Sequence, residues 1–321
     1  MALAVRALNW HIGLKRICPN KGILRMKPAP FDYAIAESVP ATLSILAEQG
    51  YDAKLLAGGQ SLVPAMNFRL VQPSVLVDIN RLEELDYVRP SEDGGLRIGA
   101  LTRHRTLEKS QLVRERAPLM YEAMPHIAHL QIRTRGTIGG SLAHADPAAE
   151  LPVILVALNG RLVIRNQSGM REVAASDFFQ GLFATALQPE DLLVEVILPS
   201  PPEASGYAFV EFARRRGDYA LLGVAAGLEL DANGICRRAK LVYLNAGDKP
   251  IEADEAAGLL VGHEPGLESY EAAASVAAER VLQPVGNIHA SVPYLRRLAF
   301  VLTKRALDMA TTRAKKTANL S

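Results

Sequence analysis

Two stretches carry residue types suited to gripping an anion through the backbone. They are "LLAGGQSLVPAMNFRL", Leu55–Leu70, and "RTRGTIGGSLAHADPAAELP", Arg133–Pro152. Each sets a Gly-Gly step behind an apolar residue and follows it closely with a serine. Removing two successive Cβ atoms lets the chain turn with positive φ and lets its N–H groups approach a bulky ligand. One such step is an ordinary turn; two with the same order of residues argue for a shared ligand. A donor to a charged oxygen is worth roughly 1.5 to 3 kcal/mol, so a handful of amides suffices for a diphosphate. Ala57, Gly58, Gly59, Gln60 and Ser61 form one candidate loop, and Thr137, Ile138, Gly139, Gly140 and Ser141 the other. The hydroxyls of Ser61, Thr137 and Ser141 add directional donors.

Other phosphate and hydrolase chemistries are excluded by spacing. No two glycines are separated by one residue, so the G-x-G-x-x-G fingerprint is absent, and no Gly-Lys pair exists to make a Walker A loop. H-E-x-x-H, G-x-S-x-G and C-x-x-C are absent too. Two loops converging on one diphosphate fit a dinucleotide such as FAD better than a mononucleotide. His126 and His129, with His144 and Asp146, form either a metal site or polar residues at a helix end. Arg133 and Arg135 either meet phosphate or pair with surface acids. Glu150 accepts hydrogen bonds from a ligand hydroxyl or sits solvated at an element terminus, and Tyr219 follows the arginine run of "ARRRGDYALLG". None of these makes a nucleophile–base pair, so the chain is equipped to hold a cofactor and poorly equipped to attack a substrate.

The elements that position these loops alternate. "SVPATLSILAEQG" reads as a helix with Ser38 at the N-cap, Pro40 in the first turn, Leu43, Ile45 and Leu46 inward and Gly50 at the stop. "AKLLAGG", "SVLVDIN", "LRIGAL" and "LPVILVAL" read as strands, and Thr102–His129 as helical with Leu107, Leu112, Leu119, Met120 and Met124 in the core. "LPSPPEASG", Leu198–Gly206, reads as a linker. Beyond it two β-like runs flank a hairpin turn at Asp231–Gly234, followed by helices ending in one whose inner face carries Leu295, Leu298, Leu302 and Met309. The fold class is α+β.

The 321 residues suffice for two domains, and 36 basic against 34 acidic residues leave a charge of +2. That balance lacks the basic stripe of a nucleic-acid surface, and no apolar run reaches membrane-spanning length. Two cysteines, Cys18 and Cys236, fit a reducing, cytoplasmic location and are too few for an iron–sulfur cluster, which usually takes four. Residues 1–25 hold basic residues and no acid, as in a leader or an upstream start ahead of Met26.

"LAGGQSLVPAMNFRL", "QIRTRGTIGGSLAHADPAAELP" and "RRRGDYALLGVAA" together resemble the medium, flavin-binding subunit of molybdenum hydroxylases, the family of aerobic carbon monoxide dehydrogenase and xanthine dehydrogenase. The resemblance runs from about Met26 to the final helix. It implies a two-subdomain FAD-binding domain of the vanillyl-alcohol-oxidase (PCMH) type over residues 26–200, a smaller α+β domain over 201–315, and a tail at 316–321. It makes Ala57–Ser61 and Thr137–Ser141 the diphosphate loops. It sets Glu150 where the family usually has an aspartate contacting the polyol or nucleotide part of the flavin, and Tyr219 against the isoalloxazine ring. It also implies a molybdenum-cofactor large subunit, a small subunit with two 2Fe-2S clusters, a dimer of heterotrimers, and an external acceptor that is NAD, a quinone or oxygen. The alternatives are a self-sufficient flavin oxidase or reductase of the same fold, and a flavin-free scaffold.

Overall fold

Three sheets and the helices between them follow from where the apolar residues fall. The computed structural model describes residues 27–318 and the backbone of a strand at Lys15–Ile17. The reading of residues 1–25 as a leader or upstream start otherwise lies outside those described residues.

The first sheet joins β1 (Lys15–Ile17), β2 (Phe31–Ile35), β3 (Ala53–Leu56) and β4 (Val75–Asp78) in the order β1-β2-β4-β3. β2 and β3 both run parallel to β4, which requires crossovers. These are α1 (Val39–Gln49) and α2 (Leu62–Asn67). α1 starts where its sequence directs: the Ala41 N–H donates to Ser38 Oγ at 3.2 Å. It stops at Gly50, whose φ of +54° favours glycine. Leu43, Ile45 and Leu46 are buried beneath it.

The second sheet is antiparallel, with strands β5 (Val88–Pro90), β6 (Leu96–Gly99), β7 (Arg161–Asn166) and β8 (Gly169–Ala174). After a small hairpin of β9 (Phe179–Gly181) and β10 (Ala184–Thr185), β11 (Leu192–Leu198) enters its centre, giving the order β5-β6-β11-β7-β8. Every residue of β11 is buried, Glu195 included. A buried carboxylate must be paired. Here Arg97 donates to both its oxygens, at 2.5 and 3.0 Å, and Tyr87 Oη to one at 2.6 Å.

Between β6 and β7 run α3 (His104–Lys109), α4 (Gln111–Arg116), α5 (Pro118–Ala123), α6 (Leu130–Arg133), α7 (Ile138–His144) and α8 (Glu150–Ala157), with α9 (Ala175–Phe178) after β8. Leu107, Leu119, Met120 and Met124 are fully buried as expected, and Leu112 packs at the margin of the same core. The expectation of a strand at "LPVILVAL" is corrected: the segment is α8. All eight residues of this helix are buried, so no polar face supplies a helical period. Pro152 falls in its first turn, where a missing N–H breaks no helical bond.

Of the expected Leu198–Gly206 linker, Leu198 still ends β11 and Ser205 already opens β12 (Ser205–Ala213), which with β13 (Ala220–Leu230), β14 (Cys236–Leu244) and β15 (Ile251–Glu252) forms an antiparallel meander. At the expected Asp231–Gly234 turn, Asp231 Oδ1 accepts the N–H groups of Asn233 and Ile235 at 2.8 and 2.9 Å. Helices α10 (Asp254–Gly258), α11 (Leu267–Val276) and α12 (Val292–Thr317) cover one face. A Cβ on Gly206 would lie 2.0 Å from the Ala310 carbonyl, so that glycine sets how closely α12 crosses the sheet. The other face carries Phe209, Ala225 and Val242 into the core built around α5 and α8. The linker thus marks a change of sheet across a shared apolar core. Among the described residues no helix is long and apolar enough to cross a membrane.

Candidate cofactor site

The two glycine loops meet. Ala57–Ser61 leaves the end of β3, and Thr137–Ser141 opens α7. A Cβ on Gly58 would lie 2.6 Å from the Arg135 carbonyl oxygen and 2.8 Å from Gly136 Cα, so only glycine lets the loops touch there. A Cβ on Gly140 would sit 3.8 Å from that of Ala57.

Their amides are spent differently. Among the described residues, the N–H groups of Gly58, Gly59, Gln60 and Ser61 have no hydrogen-bond partner in the chain. Gln60 instead steadies its own loop, Nε2 donating to the Gly58 carbonyl at 2.9 Å. In the second loop the N–H of Ile138 donates to Thr102 O at 3.0 Å and that of Gly139 to Ala100 O at 2.8 Å. The Gly140 N–H donates to Thr137 Oγ1 at 3.1 Å, and the Ser141 N–H to Thr137 O at 3.1 Å. The expectation that both loops offer amides is therefore corrected. The second loop is left with a bare glycine surface and the Ser141 hydroxyl, because the turn after β6 takes the amides of Ile138 and Gly139 and Thr137 those of Gly140 and Ser141. The free run at Gly58–Ser61 fits a ligand rich in anionic oxygen, since buried or half-buried amides otherwise leave strong donors unsatisfied.

Two residues that sequence reasoning missed fix the loops to each other. Asn80, just past β4, donates through Nδ2 to the carbonyls of Ala57 and Leu56 at 2.8 and 3.2 Å. Its Oδ1 accepts from Arg103 Nη2 at 2.7 Å, and Arg103 Nη1 donates to the Arg135 carbonyl. Burial, then the neighbouring Arg135, lowers the pKa of Arg103. The "VDIN" strand end hinted at Asn80 only as a turn residue; nothing local marked Arg103. Behind the second loop His104 is buried, with neither ring nitrogen bonded to a described side chain, and burial pushes its pKa down to about 4.

Glu150 and Tyr219 lie near each other, with Asp146 beside them. Glu150 begins α8 and is buried; burial, then repulsion from Glu211, pushes its carboxyl up to about 8, partly offset by His126. Glu211, on β12, bonds through Oε1 to His126 Nδ1 at 3.1 Å, and its Oε2 is buried without a partner among the described residues. That contact raises the pKa of His126. Tyr219 precedes β13 and is largely exposed, yet partial burial of its phenol, with Asp146 and Glu150 nearby, raises its pKa.

The remaining candidates resolve into packing roles. His144 packs on Phe183 with ring centres 5.0 Å apart, Asp146 Oδ1 accepts the Ala148 N–H, and His129 occupies the N-cap position of α6, its carbonyl accepting from the Ile132 and Arg133 N–H groups. Arg133 donates to both oxygens of Glu108, at 3.0 and 3.2 Å, so of its two readings the paired acid is the one observed.

Residues 29–201 match the family described as FAD binding domain in molybdopterin dehydrogenase, and residues 207–310 the CO dehydrogenase flavoprotein C-terminal domain. The chain is similar to the 6-hydroxypseudooxynicotine dehydrogenase complex subunit alpha of Paenarthrobacter nicotinovorans, 45% identical over 293 residues, which is 91% of this chain and 98% of that one. The solved carbon monoxide dehydrogenase from Hydrogenophaga pseudoflava superposes with a TM-score of 0.86 at 35% identity, over 89% of this chain and 99% of the other. Quinoline 2-oxidoreductase from Pseudomonas putida 86 superposes with a TM-score of 0.85 at 37% identity, over 90% and 99%.

Proposed function

From the premise that this chain belongs to the FAD-binding medium subunits of molybdenum hydroxylases, we propose that it holds its FAD mainly by the free amides of Gly58–Ser61 and relays electrons within a three-subunit complex. That run of unpartnered donors is the observation that carries the reading. When bound, FAD takes up and releases electrons singly or in pairs, which suits a station between one-electron clusters and a two-electron acceptor.

The chain's own residues bind and orient. Gly58, Gly59, Gln60 and Ser61 donate to the diphosphate, and Ala57 is held in place by Asn80. Gly139 and Gly140 present no side chain, Ser141 adds a hydroxyl, and Thr137 and Ile138 pin the second loop. Burial and Glu211 push the Glu150 carboxyl up to about 8, so it would offer a ribityl or ribose hydroxyl a donor as well as an acceptor. Tyr219, largely exposed just ahead of β13, would offer its ring to the isoalloxazine.

The two cysteines cannot hold a cluster, so electrons reach this chain from a small subunit with 2Fe-2S clusters, fed by a molybdenum-cofactor large subunit. We place the assembly in the cytoplasm as a dimer of heterotrimers with NAD, a quinone or oxygen as acceptor. A self-sufficient flavin oxidase is not favoured, because the similar proteins are subunits of dehydrogenase complexes.

The test is to mix the full chain with FAD, desalt, denature and identify the flavin released. Stoichiometric FAD with negligible turnover of organic substrates is the expected result; a folded chain retaining no flavin would sink the proposal.

A further inference from the structure

The turn after β6 is tied to the second glycine loop by its backbone and to the first by one side chain. Arg103 and Thr137 pair as an isolated antiparallel bridge. The His104 N–H donates to the Gly136 carbonyl at 2.9 Å, and the Thr102 and Ala100 carbonyls take the Ile138 and Gly139 amides. Among the described residues no backbone hydrogen bond joins Ala57–Ser61 to either of these segments. The first loop is reached instead by Asn80 and, through it, by Arg103.

The guanidinium of Arg103 is a fork with one arm on each loop. Nη2 donates to Asn80 Oδ1 at 2.7 Å and Nη1 to the Arg135 carbonyl; both acceptors are neutral, so no ion pair accounts for its position. The Arg135 carbonyl oxygen is also the atom that a Cβ on Gly58 would approach to 2.6 Å, so this arm ends where the loops touch. The other arm decides which way the Asn80 amide faces. With Oδ1 taken by Arg103, Nδ2 is left to donate to the Leu56 and Ala57 carbonyls and to Asp78 Oδ1, at 3.2, 2.8 and 2.7 Å. Turned over, the amide would set its oxygen against two carbonyls and a carboxylate. Asp78 is itself held by the Tyr33 hydroxyl.

We propose that Arg103 is a positioning residue for the cofactor: by bridging Asn80 to the Arg135 carbonyl it holds the first loop in its binding shape before any ligand arrives, and so sets the affinity for the ADP half of FAD. The inference rests on the reading of Gly58–Ser61 as the diphosphate cradle and adds the side chain that keeps that cradle in shape. A Gly-Gly loop loses more conformational freedom than any other when it is fixed. Order imposed beforehand lowers the cost of binding. A guanidinium suits the task because its planar fork donates in two fixed directions, where an ammonium is a single point charge on a flexible stem. Removing the side chain leaves the backbone ties of the second loop in place, so the effect falls on the first loop and on what it binds.

The experiment is calorimetric titration of the full chain with FAD and with ADP, alongside urea unfolding and amide nitrogen relaxation of Gly58 and Gly59 in the ligand-free chain. Arg103→Gln should weaken FAD and ADP alike, about tenfold, and loosen both glycines while changing the urea midpoint little. Arg103→Lys keeps the charge and loses the fork, so it should bind as weakly as Arg103→Gln. Asn80→Ala should cost a similar factor, and combining it with Arg103→Gln should cost little more, since both break one bridge. The proposal is overturned if FAD weakens and ADP does not, if Arg103→Lys restores affinity, if the two losses multiply, or if Gly58 and Gly59 stay as ordered as before. A urea midpoint that falls in step with affinity also overturns it, since Arg103 would then be merely structural. A wild-type chain that retains neither FAD nor ADP counts instead against the diphosphate cradle, and the relaxation of Gly58 and Gly59 in Arg103→Gln still judges the bridge.

Discussion

The two glycine loops are near twins in sequence and opposites in use. At Gly58–Ser61 the missing side chains leave four amides open. At Ile138–Ser141 they let α7 press against the turn after β6, which takes the amides of Ile138 and Gly139, while Thr137 takes those of Gly140 and Ser141. A Gly-Gly step therefore states that backbone must come close to something, without stating whether that something is a ligand or the protein itself.

The comparison breaks most visibly at Gly139. A Cβ there would lie 2.6 Å from Ala100 Cβ and 2.7 Å from its carbonyl, with backbone on the far side. Gly139→Val should cost about 3 kcal/mol or more in urea unfolding without FAD present. If its effect appears only in FAD affinity, the second loop is not the structural one.

Two buried groups flanking that loop give stability opposite dependences on pH. His104, titrating at about 4 in the fold against 6.5 when unfolded, resists a proton that the unfolded chain accepts, so stability falls as pH drops through that window. Glu150 keeps its proton from 4.5 up to about 8 while the unfolded chain loses it, so stability falls as pH rises through that window. The two oppose each other between 4.5 and 6.5. From 6.5 to 8 the Glu150 decline remains, helped by the raised His126, and approaches roughly 1.4 kcal/mol per pH unit for one proton. Glu150→Gln should flatten most of that limb in urea midpoints measured across the range; an unchanged limb would mean that Glu150 is already ionised in the fold.

Smaller effects sharpen the contrast. Thr137→Val removes the cap on Gly140 and should lower stability by about 1 kcal/mol, with FAD affinity following only as far as the loop frays. Ser61→Ala should leave the melting temperature of the FAD-free chain unchanged and weaken FAD binding about tenfold or more, the loss of the single hydroxyl donor. Equal shifts in melting temperature for the two variants would erase the distinction between the loops.

What local sequence could show was the punctuation. Ser38, Pro40 and Gly50 bound α1 as their chemistry requires, and the Asp231–Gly234 turn falls between β13 and β14. α8 escaped because a helix buried on every side has no polar stripe to betray its period. The division of labour between the loops escaped for a different reason: the acceptors Ala100 O and Thr102 O lie more than thirty residues upstream of the amides they satisfy. Asn80, Arg103 and Glu211 act through partners 23 to 85 residues away, and only the folded chain assembles them.

Arg313, in the last turns of α12, donates to Glu122 on α5 at 2.6 and 2.9 Å and to the Tyr207 carbonyl. The ribosome delivers both glycine loops early and this arginine almost last. Domains emerge and fold in that order, so the nascent chain brings Ala57–Ser61 and Thr137–Ser141 out before the latch that ties its final helix back to α5. Folding of the two glycine loops and docking of the final helix are thereby separable in time: the loops can form before the latch that ties α12 to α5 has left the ribosome.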